Sequence, residues 1–182
     1  MITHKVITSP VGVLTLVADE GILAAVRLGT PAGAPGPGTG YGIAAENGFE
    51  QAERQLAEYF DGTRCCFSIA TSPRGTVFQR SVWQQVGAIA YGRTVSYKQL
   101  AILLGDAAKA RSVGAALSHN PLNIVVPTHR VVGSRGALIG YSGGVEAKRY
   151  LLDLERSGGT EDLRRSCLHA ERVSAQECRE PA

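Results

Sequence analysis

The chain has 182 residues, which is enough for one ordinary domain or two small ones. About 44% of the residues are apolar and 19% are charged, so a buried core can form and wholesale disorder is not expected. No apolar run approaches the roughly 18 residues of a membrane-spanning helix. The residues after Met1 also lack the basic and apolar segments of a signal peptide. These features predict a cytoplasmic protein, associated with the nucleoid if the source is bacterial.

The net charge of +3 is unevenly distributed along the chain. Residues 1–74 carry five basic and seven acidic side chains, whereas residues 75–155 carry nine basic and four acidic ones. A basic block of this kind favours an anionic partner, and nucleic acid is the leading candidate. A solvated basic surface without a partner explains the charge equally well.

The first half is predicted to be a small antiparallel sheet followed by a helix. Residues 2–28 contain three β-branched, alternating stretches that turn signals separate. Gly and Pro dominate residues 29–42, which predicts a loop. Residues 49–60 place apolar side chains on one helical face. Residues 65–69 predict a further strand, and residues 71–75 a linker.

The second half is predicted to be mainly helical. A first helix is indicated by an apolar stripe at helical spacing, formed by Phe78, Val82, Trp83, Val86 and Ile89. Ser96 and Gln99 match a capping box that opens a second helix, which Gly105 closes. Residues 107–118 predict a third helix. Two short helices in a basic block suggest a helix-turn-helix, although any two packed helices would produce this pattern.

The remaining segments complete the predicted architecture. Residues 124–126 predict a buried extended run that ends at Pro127. Residues 146–155 predict an amphipathic helix, and the polar residues 157–182 a loosely held tail. The four cysteines are Cys65, Cys66, Cys167 and Cys178. Their spacing fits neither a disulfide framework nor a zinc site, so we expect plain thiols in a reducing setting and no metal.

Several ordered motifs in the second half resemble the C-terminal domain of O6-alkylguanine-DNA alkyltransferases. They are Gly75-Thr76-Val77-Phe78-Gln79, Ser96-Tyr97, Ala110-Arg111-Ser112-Val113-Gly114, Asn120-Pro121, Pro127 to Val132, and Gly140 to Gly144 followed by Lys148 and Leu151-Leu152. The sheet and helix before them resemble the small N-terminal domain of that family. The resemblance implies an α+β fold. It comprises an RNase H-like domain at 1–74, a winged-helix-like domain with a helix-turn-helix at 75–156, and a tail at 157–182.

The resemblance places Thr128 where the family has its acceptor cysteine. In the family motif Pro-Cys-His-Arg, that cysteine takes the alkyl group from guanine O6 once and is not regenerated. Here the motif reads Pro127-Thr128-His129-Arg130. A thiol titrates near neutral pH and is strongly nucleophilic, whereas a hydroxyl is a far weaker acid and must be activated as it attacks. We therefore expect alkyl transfer to Thr128 to be negligible.

The same resemblance assigns roles to other residues. Glu155 would orient His129, which in the family withdraws the acceptor proton through a water, and Asn120 would brace the segment before the acceptor. Arg111 would fill the gap left by a flipped nucleotide, and Tyr97 would contact its phosphate and base. Candidate phosphate contacts are Lys98, Lys109 and Ser134. The lesion pocket would comprise Tyr141 stacking on the base, Ser142 donating to its O6 side, and Leu117, Val131, Leu138 and Ile139 lining the alkyl group.

Four functions remain open at this stage. The leading hypothesis is a monomer without cofactor or metal that binds duplex DNA in the minor groove and flips O6-alkylguanine without repairing it. Relatives of this kind, which usually carry tryptophan or alanine at the acceptor position, flag lesions for nucleotide excision repair proteins. The alternatives are a repair methyltransferase in Cys-to-Thr substituted form, an enzyme acting on a small alkylated molecule, and a sequence-specific DNA-binding regulator.

Overall fold

A computed structural model describes residues 1–29 and 41–158, so most of the predicted 29–42 loop and nearly all of the tail lie outside the described residues. The first half forms a four-stranded sheet. Its strands are β1 (Ile2–Ser9), β2 (Gly12–Asp19), β3 (Ile22–Leu28) and β4 (Ile43–Ala44), in the order β3-β2-β1-β4. The first three pair antiparallel, which confirms the predicted meander, and β4 adds parallel to β1.

Helix α1 (Glu50–Phe60) packs against this sheet, as the apolar stripe predicted. Leu14 and Leu16 of β2 are fully buried against Leu56 and Tyr59 of α1. The same apolar cluster also contains residues of the second half, namely Tyr91, Leu122, Ile124 and Leu151. The two halves therefore share one core, and side chains from α1 can reach groups in the second half.

The predicted strand at 65–69 is wrong, because this segment pairs with side chains instead of with the sheet. The Ser68 amide donates to Gln55 Oε1 (2.9 Å), and Gln55 Nε2 donates to Ser68 Oγ (3.0 Å). The backbone pairs with the sheet only after this segment, where Ser72 N donates to Leu23 O of β3. Cys65 is buried and disulfide-bonded, contrary to the expectation of a plain thiol, whereas Cys66 is a free thiol.

The second half contains four helices within the described residues. They are α2 (Val77–Gly87), α3 (Tyr97–Leu103), α4 (Ala110–Ser118) and α5 (Gly144–Ser157). The predicted capping box of α3 is present, since Ser96 and Gln99 each accept a hydrogen bond from the other's backbone. A short parallel pair, β5 (Val95–Ser96) and β6 (Val131–Val132), joins α3 to the segment after Thr128. No described helix is long and apolar enough to cross a membrane.

Two local predictions in this half need correction. The predicted helix at 107–118 begins as a 3-10 turn (Ala107–Lys109), because the Asp106 side chain caps the Ala108 amide. The predicted extended run at 124–126 is a turn, in which Ile124 adopts a positive φ of 72°. The extended pairing occurs just before it. There the Val26 amide donates to Pro121 O (2.9 Å), and Asn123 N donates to Val26 O (3.0 Å). The chain leading to Thr128 therefore extends the edge of the sheet.

Candidate functional site

A buried carboxylate, that of Glu155 on α5, lies at the centre of the site. His129 Nε2 lies 2.7 Å from Oε1, and Arg130 Nε lies 2.9 Å from Oε2. The Tyr59 hydroxyl donates to Oε1 over 2.8 Å, and the Gly92 amide donates to Oε2 over 3.0 Å. Burial opposes the charged form, but hydrogen bonds from His129 and Arg130 and the charge of Arg130 hold the pKa of Glu155 well below its usual range. Glu155 is therefore an anion.

His129 is fully buried and lies directly after Thr128. Burial lowers the pKa of its imidazole, and the neighbouring Glu155 only partly offsets this effect. The neutral ring donates through Nε2 to the carboxylate, which leaves Nδ1 as the unprotonated nitrogen. Nδ1 is buried and has no hydrogen-bond partner among the described residues. The structure thus combines an oriented neutral base with a buried hydroxyl, that of Thr128, in adjacent positions.

Thr128 is held by the short helical turn Thr128–Arg130 that follows Pro127. Its amide donates to Val126 O (2.8 Å), and its side chain is buried. The predicted brace Asn120 donates from Nδ2 to the same carbonyl, Val126 O, over 3.3 Å. Asn120 Oδ1 also accepts from the Leu122 amide over 3.1 Å. Asn120 therefore fixes both ends of the segment that leads to Thr128.

Lys148 is a site residue to which residue-level reasoning gave no role. It is fully buried, and its ammonium donates to Val131 O and Ile139 O over 2.6 Å each. The Tyr97 hydroxyl donates to the same Ile139 carbonyl over 3.0 Å. Burial lowers the pKa of Lys148 to about 8. Together these bonds hold the loop after β6 against α3 and α5. The signal in the sequence was a lysine on the apolar face of α5, beside Ala147 and Leu151.

The predicted lesion-pocket residues divide between the two packed cores. Leu117 and Val131 belong to the cluster of α2, α3 and α4, whereas Tyr141 packs against the cluster that includes the sheet. Tyr141 lies edge-on to the His129 ring, with centroids 6.3 Å apart. Its hydroxyl is buried without a partner among the described residues, and burial raises its pKa.

The other predicted pocket residues lie nearer the surface or bond within the protein. Ser142 Oγ donates to Asn123 Oδ1 (2.6 Å). Leu138 is half-buried and Ile139 is exposed.

The predicted DNA contacts lie on the surface of the second half. Lys98 on α3, Lys109 before α4, Arg111 on α4 and Ser134 in the turn after β6 are all exposed, and Tyr97 is half-buried. Lys109 is paired with Asp106 at 3.7 Å. Arg111 is in the first turn of α4 and has no ion pair among the residues described. In the described part of the chain, no group of three or more His, Cys, Asp or Glu residues could hold a metal ion.

Comparison with known proteins identifies the family. Residues 77–157 match the family model "6-O-methylguanine DNA methyltransferase, DNA binding domain", and residues 2–73 match its "ribonuclease-like domain". The chain belongs to the 6-O-methylguanine DNA methyltransferase family. The predicted family and the α+β fold are therefore confirmed.

Curated and solved relatives agree with this assignment. The methylated-DNA--protein-cysteine methyltransferase of Mycolicibacterium paratuberculosis is 42% identical over 86% of this chain and 93% of its own. The Mycobacterium tuberculosis protein of the same name is 40% identical over 90% and 98%. The crystal structure of M. tuberculosis O6-methylguanine methyltransferase matches with a TM-score of 0.79 at 38% identity, covering 90% of this chain and 98% of that one. The M. tuberculosis protein in complex with DNA matches with a TM-score of 0.77 at 39% identity, over 89% and 98%.

Proposed function

We propose that this methyltransferase-family protein binds duplex DNA, turns O6-alkylguanine out of the helix and holds it without taking the alkyl group. The observation that carries the proposal is Thr128. It occupies the position at which the resemblance places the acceptor cysteine, next to the oriented base His129. A solved relative was crystallised in complex with DNA, which supports DNA as the partner.

The chemistry of a hydroxyl explains why binding and transfer would separate at this position. A cysteine acceptor attacks as a thiolate, which a neighbouring neutral imidazole can generate near neutral pH. The Thr128 hydroxyl would have to lose its proton during the attack. Displacement at an alkyl carbon also develops no oxyanion that backbone amides could stabilise, unlike the acyl transfers of serine hydrolases. A neutral His129 is therefore too weak a base to turn Thr128 into a competent nucleophile.

The surface of the second half supports the DNA-binding part of the proposal. Arg111 lies exposed in the first turn of α4, where its planar cation is free to enter a base stack. Tyr97 lies at the start of α3, with its hydroxyl bonded to the loop that follows β6. Lys98 and Ser134 are exposed and would contact phosphates. We place the α3–α4 pair in the minor groove, where base readout is poor and little sequence preference is expected.

The test is a pair of measurements on one sample, made with a duplex that carries a labelled methyl group at guanine O6. We expect tighter binding than to the plain duplex at matched salt, and no loss of label over hours. Thr128→Cys is the matched variant, and it should transfer the label to protein because the base and its carboxylate are retained. Equal binding of both duplexes, or label on Thr128 itself, would contradict the proposal.

A lesion that is held without repair must be removed by other proteins. We propose that nucleotide excision repair proteins are these partners. An incision assay on the O6-methylguanine duplex tests this, with and without the protein. The expected result is faster incision when the protein is present. Inhibition of incision would indicate that the protein only shields the lesion.

A further inference from the structure

Among the described residues of the first half, Tyr59 alone bonds the buried carboxylate of Glu155. Its hydroxyl donates to Glu155 Oε1 over 2.8 Å and lies 3.5 Å from His129 Nε2. Tyr59 and Glu155 are both fully buried. The contact joins α1 to α5 across the core that the two halves share, and it makes the first half part of the base assembly.

The arrangement of donors gives this hydroxyl a specific task. Oε1 accepts hydrogen bonds from the Tyr59 hydroxyl, from His129 Nε2 and, over 3.1 Å, from Arg130 Nη2. Oε2 accepts from the Gly92 amide and from Arg130 Nε. A carboxylate with donors on both oxygens cannot rotate without breaking hydrogen bonds in a buried site, where unpaired polar groups are costly. Tyr59 is therefore one of the donors, together with Arg130, that keep Oε1 in line with the imidazole.

The tyrosine ring is itself held in place. It packs against Phe60, Phe67 and Tyr91, with ring centroids 5.5, 5.5 and 6.2 Å away. A ring confined on three sides leaves its hydroxyl little freedom, so the bond to Glu155 is part of a preorganised cluster.

We propose that Tyr59 is a positioning residue, whose hydroxyl holds Glu155 Oε1 against His129 Nε2 and so keeps Nδ1 as the unprotonated nitrogen of the base. The inference goes beyond the proposed function, because it concerns the base and does not depend on what the site binds.

The bond of Tyr59 should affect the pKa of His129, because both side chains donate to Oε1 of Glu155. Groups that act on His129 come from every packed element: Tyr59 from α1, Arg130 from its own turn, Glu155 and Lys148 from α5, and Tyr141 from the glycine-rich loop. The Tyr59 hydroxyl withdraws charge from Oε1. Without this bond, the carboxylate would stabilise the imidazolium form more strongly, and the pKa of His129 would rise.

The test is a nitrogen and proton NMR titration of the full chain, comparing wild type with Tyr59→Phe. This change keeps the ring and removes only the hydroxyl. We expect the His129 pKa to rise by about half a unit to one unit, since one hydrogen bond to the carboxylate is lost. We also expect the Nε2-bound proton resonance to move. Tyr150→Phe, on the exposed face of α5, is the matched control and should change neither signal.

A second pair of variants separates positioning from packing. Phe67→Leu loosens the ring packing around Tyr59 but leaves its hydroxyl in place, so the His129 pKa should stay at the wild-type value. Site-specific 3-fluorotyrosine at position 59 keeps the fold and strengthens the donor, so the His129 pKa should fall.

Two outcomes would overturn the inference: unchanged His129 signals in both the Tyr59→Phe and the fluorotyrosine proteins, or an equal shift in Phe67→Leu. The titration needs no DNA. A wild-type protein that fails to recognise O6-methylguanine would therefore refute the proposed function and leave this test intact.

Discussion

In the part of the chain that the structure describes, the first half contacts the buried carboxylate through one hydroxyl, that of Tyr59, whereas the second half supplies Glu155, His129 and Arg130. The halves also differ in charge, since the first has more acidic than basic residues and the second carries the basic excess. The first half therefore acts mainly as a scaffold, and the second presents both the base and the cationic surface.

The first half also holds the segment that leads to Thr128. The edge of the first-half sheet bonds the chain on both sides of Leu122, through Val26 to Pro121 and Asn123. Asn123 Nδ2 also donates to Val26 O (3.1 Å), and its Oδ1 accepts from Ser142 of the glycine-rich loop. The sheet therefore helps to position Thr128 through backbone hydrogen bonds to the preceding segment. Perturbing each half should therefore have different consequences.

The largest expected effect is that of Glu155→Gln. This change removes the charge that balances Arg130 in a buried site. Because an amide nitrogen cannot accept a hydrogen bond, the side chain can no longer satisfy all four donors. We expect a loss of about 3–5 kcal/mol in the free energy of unfolding, as for other buried ion pairs that lose one partner. Urea denaturation followed by tryptophan fluorescence measures it. Glu146→Gln, at an exposed position on the same helix, is the control and should change stability by less than about 0.5 kcal/mol. Equal losses in the two variants would refute a special role for the buried cluster.

Much of the fold can be read from local patterns, but the cluster cannot. Alternation predicted the meander, and the Ser96 capping box predicted the start of α3, because both signals lie within a few residues of each other. Tyr59 and Glu155 lie 96 positions apart in sequence. The helical stripe of α1 predicts that Tyr59 is buried, but burial does not reveal which acceptor its hydroxyl meets.

The wrong predictions have the same cause. Residues 65–69 have the composition of a strand, yet the backbone of Ser68 bonds the side chains of Gln55 and Gln51, which no local pattern encodes. The apolar residues 124–126 suggest an extended run, but the preceding pairing with Val26 forces the chain to turn at Ile124. The resemblance to a known family supplied the predicted site residues, whereas the hydrogen bonds of Tyr59 and Lys148 emerged only from the structure.

The next largest effect is expected at Lys148, which serves the second half alone. Lys148→Met keeps the apolar stem and leaves the buried Val131 O and the partly buried Ile139 O without their ammonium donor. We expect a stability loss of about 2 kcal/mol at pH 7. Thermal unfolding measures this loss, and a wild-type value would show that the loop after β6 is held without the lysine.

The pH dependence of stability provides a separate test of Lys148. Burial lowers its folded-state pKa to about 8, below the value of about 10.4 for an unfolded lysine. Between these two pH values the unfolded chain binds more protons than the folded one. The contribution of Lys148 to the free energy of unfolding should therefore increase as the pH rises from about 8 to about 10.4. Subtracting the Lys148→Met curve isolates that contribution. A difference that stays flat from pH 8 to 10 would show that the ammonium keeps its proton in the folded state.

Arg111→Ala should have a smaller effect, confined to lesion recognition. If the guanidinium fills the gap left by a flipped base, its loss should weaken binding to the O6-methylguanine duplex by about tenfold, or about 1.4 kcal/mol. Binding to the plain duplex should change much less. Arg54→Ala, at an exposed position in the first half, is the control. Equal weakening on both duplexes would make Arg111 a phosphate contact.

The smallest expected effect is that of Lys98→Ala on α3. An exposed lysine that contacts one phosphate adds affinity by counterion release, without reading the base. Its loss should weaken binding to lesion and plain duplexes equally, and should reduce the slope of log affinity against log salt by about 0.9. The same Arg54→Ala control should leave the slope unchanged, because the first half is expected to lie away from DNA. A slope change in Arg54→Ala would extend the DNA-binding surface to the first half, and would contradict the division of roles between the two halves.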